Sequence, residues 1–338
     1  MPFIENDKLI ESMSRSVSQE SFRSLLEIRD NYTTRLEWEP LFISPMWLEV
    51  WWSVFGNDRE LYLTSVREDD SVIGIAPLMI ENGITSIIGS ADVCDYLDLI
   101  VLPNRDQDFF DALVDDLKRK GVKQLNLESL RPDSRVLTGI TDAALRRGCE
   151  VTLTPCDVTL EMKLPCTWDD YLLVLNSKQR HEVRRKLRRL EEVGNFEYRS
   201  ISGSTPVIEA LDTFLKMFTE SRGYKADFLT QKRESFFRSM TESMANAGIL
   251  KLGLLEIETI PAAIIMYFDY NDTIYLYNSG FEKEYISLSV GLLSKVLCIK
   301  DSIESGKKVF DFLKGNEVYK SRLGGKETQL SDCRISIN

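Results

Sequence analysis

Two stretches of this chain, far apart in number, carry the same order of features. LYLTSVREDDSVIGIAPLMI from Leu61 and LKLGLLEIETIPAAIIMYFD from Leu250 each read as a strand, a short polar turn and a second strand with proline beside alanine. Further on, GVKQLNLESL from Gly121 parallels GKKVFDFLKG from Gly306, and in each case a helical pattern leads into the glycine. The repeated unit is therefore a meander, a helix and a further strand. That is an α+β pattern, which predicts a mixed, mostly antiparallel sheet flanked by helices, present twice. The 338 residues are too many for one ordinary core and suit two domains. We place these at 1–155 and 156–338.

In the first half, helical patterning runs through Phe22–Asp30 and Ser44–Phe55, where Trp47, Trp51 and Phe55 recur every four residues as a core stripe. Strands are predicted for LYLTSV, VIGIAPLMI, ITSII and YLDLIV, with turns at Asp69-Asp70, Asn82-Gly83 and Pro103-Asn104. A helix over 106–120, a strand VKQLNLES, a helix over 134–147 and a strand over 150–154 complete this half. The six cysteines form no CxxC pair, and with a single histidine they make no plausible zinc set, so no metal is expected and the thiols read as reduced, buried small hydrophobes.

The chain is acidic, with a net charge of -11, yet Lys178–Arg189 holds seven Lys/Arg residues, one acid and the only histidine. Without those twelve positions the remainder stands at -17. Such a body excludes broad nucleic-acid binding, and DNA in particular, because a duplex-binding domain is basic over a whole face. One cationic helix on it points to a local anion such as phosphate. The helix is predicted to start after Thr167, with Asp169 and Asp170 in its first turn, and to stop at Gly194-Asn195. Val183, Leu187 and Leu190 form its apolar stripe, flanked by Arg180 and Arg184, while His181 falls on the far side with Arg185 and Arg189. No apolar run has the length of a signal peptide or a membrane span, so the expected location is the cytoplasm, without an integral membrane segment.

The segment from Tyr275 to Gly325 carries the most specific signal. Its strand over 273–280, with Tyr275 and Tyr277 alternating around Leu276, leads to Ser287-Leu288-Ser289-Val290-Gly291. These residues open a helix whose free amides suit a pyrophosphate, and the small Ser289 and Gly291 let it approach. The strand over 309–313 then places Asp311 between aromatics before Gly315 turns the chain toward Tyr319 and Lys320. In the first half, Asp92, Asp95 and Asp98 cluster around Tyr96.

Together with SKQRHEVRRKLRRLEEVG, this stretch resembles the acetyltransferase domain of the CelD/BcsL type, part of the GNAT superfamily and close to the Fem aminoacyl transferases. FEKEYISLSVGLL is similar to that family's turn into its cofactor-side helix, and FDFLKGNEVYK to its C-terminal signature. FISPMWLEVWW is similar to its N-terminal segment. Where the family often has proline before the helix glycine, this chain has Val290, and it lacks an Arg/Gln-x-x-Gly-x-Gly/Ala phosphate loop. The resemblance implies two tandem GNAT-like (acyl-CoA N-acyltransferase) domains and transfer of an acyl group from acyl-CoA, typically acetyl-CoA, to an amine or hydroxyl.

The acceptor implied is a small molecule or a cell-envelope or polysaccharide precursor. The alternatives are a Fem-like transferase using charged tRNA and a catalytically silent binding protein of the same fold. By resemblance Lys320 is the leading residue for charge stabilisation. Asp311 and His181 are further catalytic candidates, Arg180, Arg184, Tyr277 and Tyr319 candidates for substrate, and Ser289, Gly291 and Gly315 candidates for the cosubstrate.

Overall fold

The computed structural model describes residues 15–31, 35–221 and 223–337. The first half contains β1 (Arg15–Gln19), α1 (Phe22–Asp30), α2 (Pro45–Phe55), β2 (Glu60–Glu68), β3 (Ser71–Glu81), β4 (Ile84–Ile87), β5 (Ile100–Val101), α3 (Asp106–Arg119), β6 (Gln124–Leu130) and α4 (Thr141–Arg146). Next come β7 (Glu150–Lys163), α5 (Trp168–Val174), α6 (Ser177–Glu191), β8 (Phe196–Ile201), α7 (Ser204–Ser221), α8 (Gly223–Phe228) and α9 (Gln231–Asn246). The chain ends with β9 (Leu250–Ile257), β10 (Ile260–Tyr270), β11 (Thr273–Phe281), α10 (Val290–Glu304), β12 (Val309–Lys314), α11 (Val318–Arg322) and β13 (Lys326–Ser336).

The expected α+β architecture, a mixed and mostly antiparallel sheet flanked by helices with the repeated unit present twice, is what the chain adopts. β2-β3-β4 and β9-β10-β11 are both antiparallel meanders. Each meander's third strand is joined in parallel to the strand after the following helix, β4 to β6 and β11 to β12. The two units share one sheet, ordered β1-β2-β3-β4-β6-β13-β7-β12-β11-β10-β9-β8, with β5 beside β3. At its centre the last strands are exchanged: β13 lies against β6 of the first unit, and β7 against β12 of the second. β13 pairs antiparallel with β7 along its own whole length, Lys326 with Glu161 through to Ser336 with Glu150. No edge is left between the units, which removes the unpaired N–H and C=O groups an edge would expose.

Local chemistry accounts for the departures from expectation. The strand foreseen over 150–154 runs to Lys163, because pairing with β13 and β12 carries it on through residue 155. YLDLIV yields only Ile100–Val101 as strand, since Asp98 turns back to accept N–H bonds from Leu99, Arg135 and Val136. The segment after Ser134 winds first as a π-turn over Val136–Ile140 and then as α4. The single basic helix expected after Thr167 is two. Leu175 is extended, and Asn176 starts α6 by a capping box with Gln179, an Asn side chain competing for amides that a continuing helix would need. Cys94, Cys149, Cys298 and Cys333 are buried free thiols as expected, but Cys156 and Cys166 are exposed.

α2 fastens the halves together. Its Trp47 is fully buried and meets the edges of Phe42, Phe236, Phe268 and Tyr277, with ring centroids 4.8 to 5.7 Å apart. Three of those partners belong to the second half, so the every-fourth-residue aromatics serve the junction between halves as well as their own core.

Candidate functional site

β11 and β12 pair in parallel only from Thr273–Tyr275 against Val309–Asp311, and beyond that they separate. Two irregularities drive them apart. β11 bulges at Tyr277, since Met266 of β10 pairs with Asn278 but Tyr267 pairs with Leu276. β12 breaks register with β7 between Asp311 and Lys314, where Leu313 takes a φ of 62°. The gap opens into a cavity of about 900 Å³ walled by these strand ends, the start of α10, α7 with α8, and the loop over 91–95 of the first half.

Ser289 stands at the N-cap of α10 with φ 60°, and Gly291 follows it. A Cβ on Gly291 would lie 2.9 Å from the Phe281 ring, so a side chain would crowd the passage. In the first turn of α10 the Leu292 and Leu293 amides donate to Ser289 O at 2.9 and 3.0 Å, and Val290 and Gly291 line this end of the cavity. Lys186 of α6 donates to Ser289 Oγ at 2.5 Å and ties the basic helix to the same corner. One turn into α10, the buried Lys295 donates to Gly291 O at 2.7 Å and Ser279 Oγ at 2.9 Å, and lies 5.3 Å from the Tyr319 ring centroid.

On the opposite wall Lys320 is 2% exposed, and its ammonium donates to the carbonyls of Leu313, Lys314 and Gly315 at 3.0, 2.6 and 3.1 Å. Glu317 Oε2 lies 2.8 Å from the same nitrogen. Gly315, at φ 104°, makes the turn that brings those carbonyls to one point. Behind Leu313, Asp311 accepts bonds from the Leu313 N–H at 2.7 Å and Tyr96 Oη at 2.9 Å. Arg131 Nη1 is 3.8 Å from its other oxygen. Burial pushes the Asp311 carboxyl up to about 7 although these donors and Arg131 oppose the shift.

The first half closes the remaining side. Tyr277 donates to Val93 O at 3.0 Å, and Lys314 Nζ to Ala91 O at 2.7 Å. Asp95 accepts the Lys314 N–H at 2.9 Å and faces the cavity with Asp157 nearby. Burial raises the Asp95 carboxyl above the usual carboxylate range and Asp157 adds to this, while Lys314 and Lys320 pull the other way. Of the other acids in that cluster, Asp92 also lines the cavity and pairs with Arg233 at 2.9 Å. Asp98 is turned away to hold the backbone at Arg135 and Val136.

Lys320, Tyr277, Tyr319, Ser289, Gly291 and Gly315 thus come together around one cavity. Asp311 sits behind its wall as an anchor for the bulge. Arg180, Arg184 and His181 do not line it: Arg180 is half-buried on α6, and Arg184 and His181 are exposed. Lys295, Lys225, Ser279 and Asp157 line the cavity without having been singled out from the sequence. Lys295 had a signal: it is a lone charge within the apolar helix run LLSKVLCI. Asp157 had none, because its place depends on the strand exchange.

A twice-repeated meander with one parallel strand pair splayed over a cavity is the GNAT-like arrangement, and solved structures bear this out. FemX matches at a TM-score of 0.65 with 12% identity, covering 94% of this chain and 96% of its own. The C-terminal domain of a putative lysylphosphatidylglycerol synthetase from Agrobacterium fabrum matches at 0.57 with 11% identity, covering 94% and 92%. A tandem GNAT protein from the clavulanic acid biosynthesis pathway matches at 0.50 with 10% identity, covering 96% and 98%. At such identities the likeness is one of fold. In sequence, residues 177–321 match the family described as Acetyltransferase (GNAT) domain. No curated protein matches the chain.

Proposed function

We propose that this protein is an acyltransferase that moves an acyl group, typically acetyl, from a coenzyme A thioester to an amine or hydroxyl of a small or sugar-type acceptor. The observation that carries this reading is the cavity at the β11/β12 divergence, where the α10 N-terminus and Lys320, both within the segment matching an acetyltransferase domain, meet an acid of the first half. A division near residue 155 assigns Asp95 to the first unit and the donor side to the second. The thioester supplies an electrophilic carbonyl, and the chain's own groups do the rest.

The α10 end fits a pyrophosphate, because amides, a helix dipole, Gly291 and the Lys186–Ser289 link converge there. The acyl arm would lie between β11 and β12, where Leu276 and Phe312 give apolar walls. Asp95 is the base in this reading: its carboxylate takes the proton from the acceptor as the acceptor's lone pair attacks the carbonyl. Lys320 works through its field. Its protons are committed to three carbonyls, so its charge stabilises the developing oxyanion at a distance while holding the bulge in place. Tyr319 and Tyr277 shape the acceptor side, and Tyr319, lining the same cavity, donates a proton to the leaving thiolate in this reading.

The test is a thermal-shift series with CoA, acetyl-CoA, longer acyl-CoAs and charged tRNA. A thioester at about 100 times its Kd should add about 2.7 kcal/mol of stability. Stabilisation by charged tRNA alone would move the donor to an aminoacyl ester, and no stabilisation by any of them would leave a silent binding protein.

A further inference from the structure

The outward face of α6 is not used by the cavity. At about 100° per residue, Val183, Leu187 and Leu190 face inward, and Lys178, His181, Arg184, Arg185, Arg188 and Arg189 occupy the opposite arc. Arg185 and Lys186 share Glu182, whose carboxyl is held down at about 2 by Arg185 first and by Lys186. Lys178, Arg184, Arg188 and Arg189 make no ion pair among the described residues. Like charges stacked at i,i+4, such as Arg184 with Arg188 and Arg185 with Arg189, cost helix stability, and only Arg185 of these four has an ion-pair partner among the described residues.

Exposed apolar side chains bracket this face. Leu173 and Val174 of α5 are 68% and 49% exposed just before it, and Val193 is 49% exposed just after it. Ile286, 64% exposed, lies on the 3₁₀ turn Lys283–Leu288 that packs beside α6, and it also lines the cavity. A basic helix face with apolar flanks meets both requirements of an anionic lipid surface, electrostatic attraction and shallow insertion. A planar surface touches one face only, so it meets less of the -17 carried outside Lys178–Arg189, of which the exposed Glu191 and Glu192 at the end of α6 lie nearest. A bulky RNA wrapping the protein would meet that charge.

We infer that α6 with its apolar flanks docks this protein peripherally on an anionic phospholipid membrane. Lys186 and Ser289 link the docking face to the cavity mouth, so the bound protein would present its site toward the lipid–water interface. This does not depend on which acyl donor is used.

The experiment is sedimentation of the full chain with vesicles of phosphatidylcholine alone and of phosphatidylcholine with phosphatidylglycerol. Binding is expected to the anionic vesicles only, and to weaken as salt is raised from about 0.1 to about 0.5 M. Each basic residue at such a surface accounts for about fivefold in partitioning, so Arg188→Gln/Arg189→Gln should bind about 25-fold less. Both side chains are exposed and outside the cavity, so the variant should keep the wild-type melting temperature and its response to CoA thioesters. Leu173→Ser should weaken binding further at every salt concentration. Equal retention on neutral vesicles, no retention on anionic ones, or an unaffected double variant would each overturn the inference. So would tRNA binding that the double variant loses while vesicles are ignored, which would make this an RNA surface.

Discussion

Replacing Lys320 with methionine keeps the length of the stem and removes the ammonium, and its cost can be worked from the contacts. Three carbonyls, those of Leu313, Lys314 and Gly315, lose their donor at 3.0, 2.6 and 3.1 Å, and each stays turned toward the same buried point. Hydrogen bonds to a charged group contribute about 1.5 to 3 kcal/mol each, but the three share one cation and are not additive. Glu317 is 55% exposed, so losing its pair with Lys320 adds well under 1 kcal/mol. Breaking a buried charge arrangement of this kind costs about 3 to 5 kcal/mol. With an unfolding entropy of about 2.1 cal/mol/K per residue, the 338-residue chain has a slope near 0.7 kcal/mol/K, and Tm should fall by about 4 to 7 °C. Calorimetry reads that shift. Hydrogen exchange should also quicken at Gly315, whose N–H donates to Val158 O at 2.8 Å within the same bulge. A shift under about 1 °C with unchanged exchange at Gly315 would refute the claim that Lys320 holds this loop, and with it the account of why its charge is fixed there. Glu317→Gln is the control and should move Tm little.

Gly280→Ala should lower stability by about 2 to 3 kcal/mol, because its Cβ would sit 2.4 and 2.5 Å from backbone atoms of Met217 and Phe218 in α7. Displacing α7 from β11 should also reduce stabilisation by CoA thioesters in thermal shift. Asp95→Asn keeps an acceptor for the Lys314 N–H, so it should fold normally and lose about 10² to 10⁴ in kcat. In the wild type, the acid limb of kcat/KM should lie above the ordinary carboxylate range, as burial of Asp95 requires. Asp311, pushed up to about 7 by burial, binds its proton more tightly folded than unfolded. Its contribution to stability is thus complete below the ordinary Asp range and is lost as pH rises through about 7. Asp311→Asn retains the acceptor used by Leu313 and Tyr96, so its Tm should fall less than the wild type's between pH 5 and pH 8.

Much of the fold was legible in the chain because it rests on short-range chemistry. The paired meanders, the helix before Gly121 and its counterpart before Gly306, and the inward stripe Val183, Leu187, Leu190 follow from strand and helix periods that each segment carries by itself. The FDFLKGNEVYK segment was legible as a site for a similar reason. A strand, a glycine turn and a short helix lie within a dozen residues, so Asp311, Gly315, Tyr319 and Lys320 cannot be far apart. The break before α6 was missed because one Asn side chain, rather than the surrounding helical pattern, decides where the amides go.

What only the tertiary structure decided is pairing between distant segments. The exchange of β7 and β13 sets residues of the two halves side by side and brings Asp157, with Asp95 of the first half, to a cavity whose other walls come from the second. Nothing within three or four neighbours of those acids announces it. The same holds for the basic helix. Its sequence establishes a dense positive charge, but whether that charge faces a cleft or solvent depends on the direction in which Val183 and Leu190 are buried. Packing of Val183 and Leu190 within their own unit turns Arg184 and His181 outward. Charge is a property of the sequence, while the surface a charge faces is set by what the rest of the chain packs beneath it.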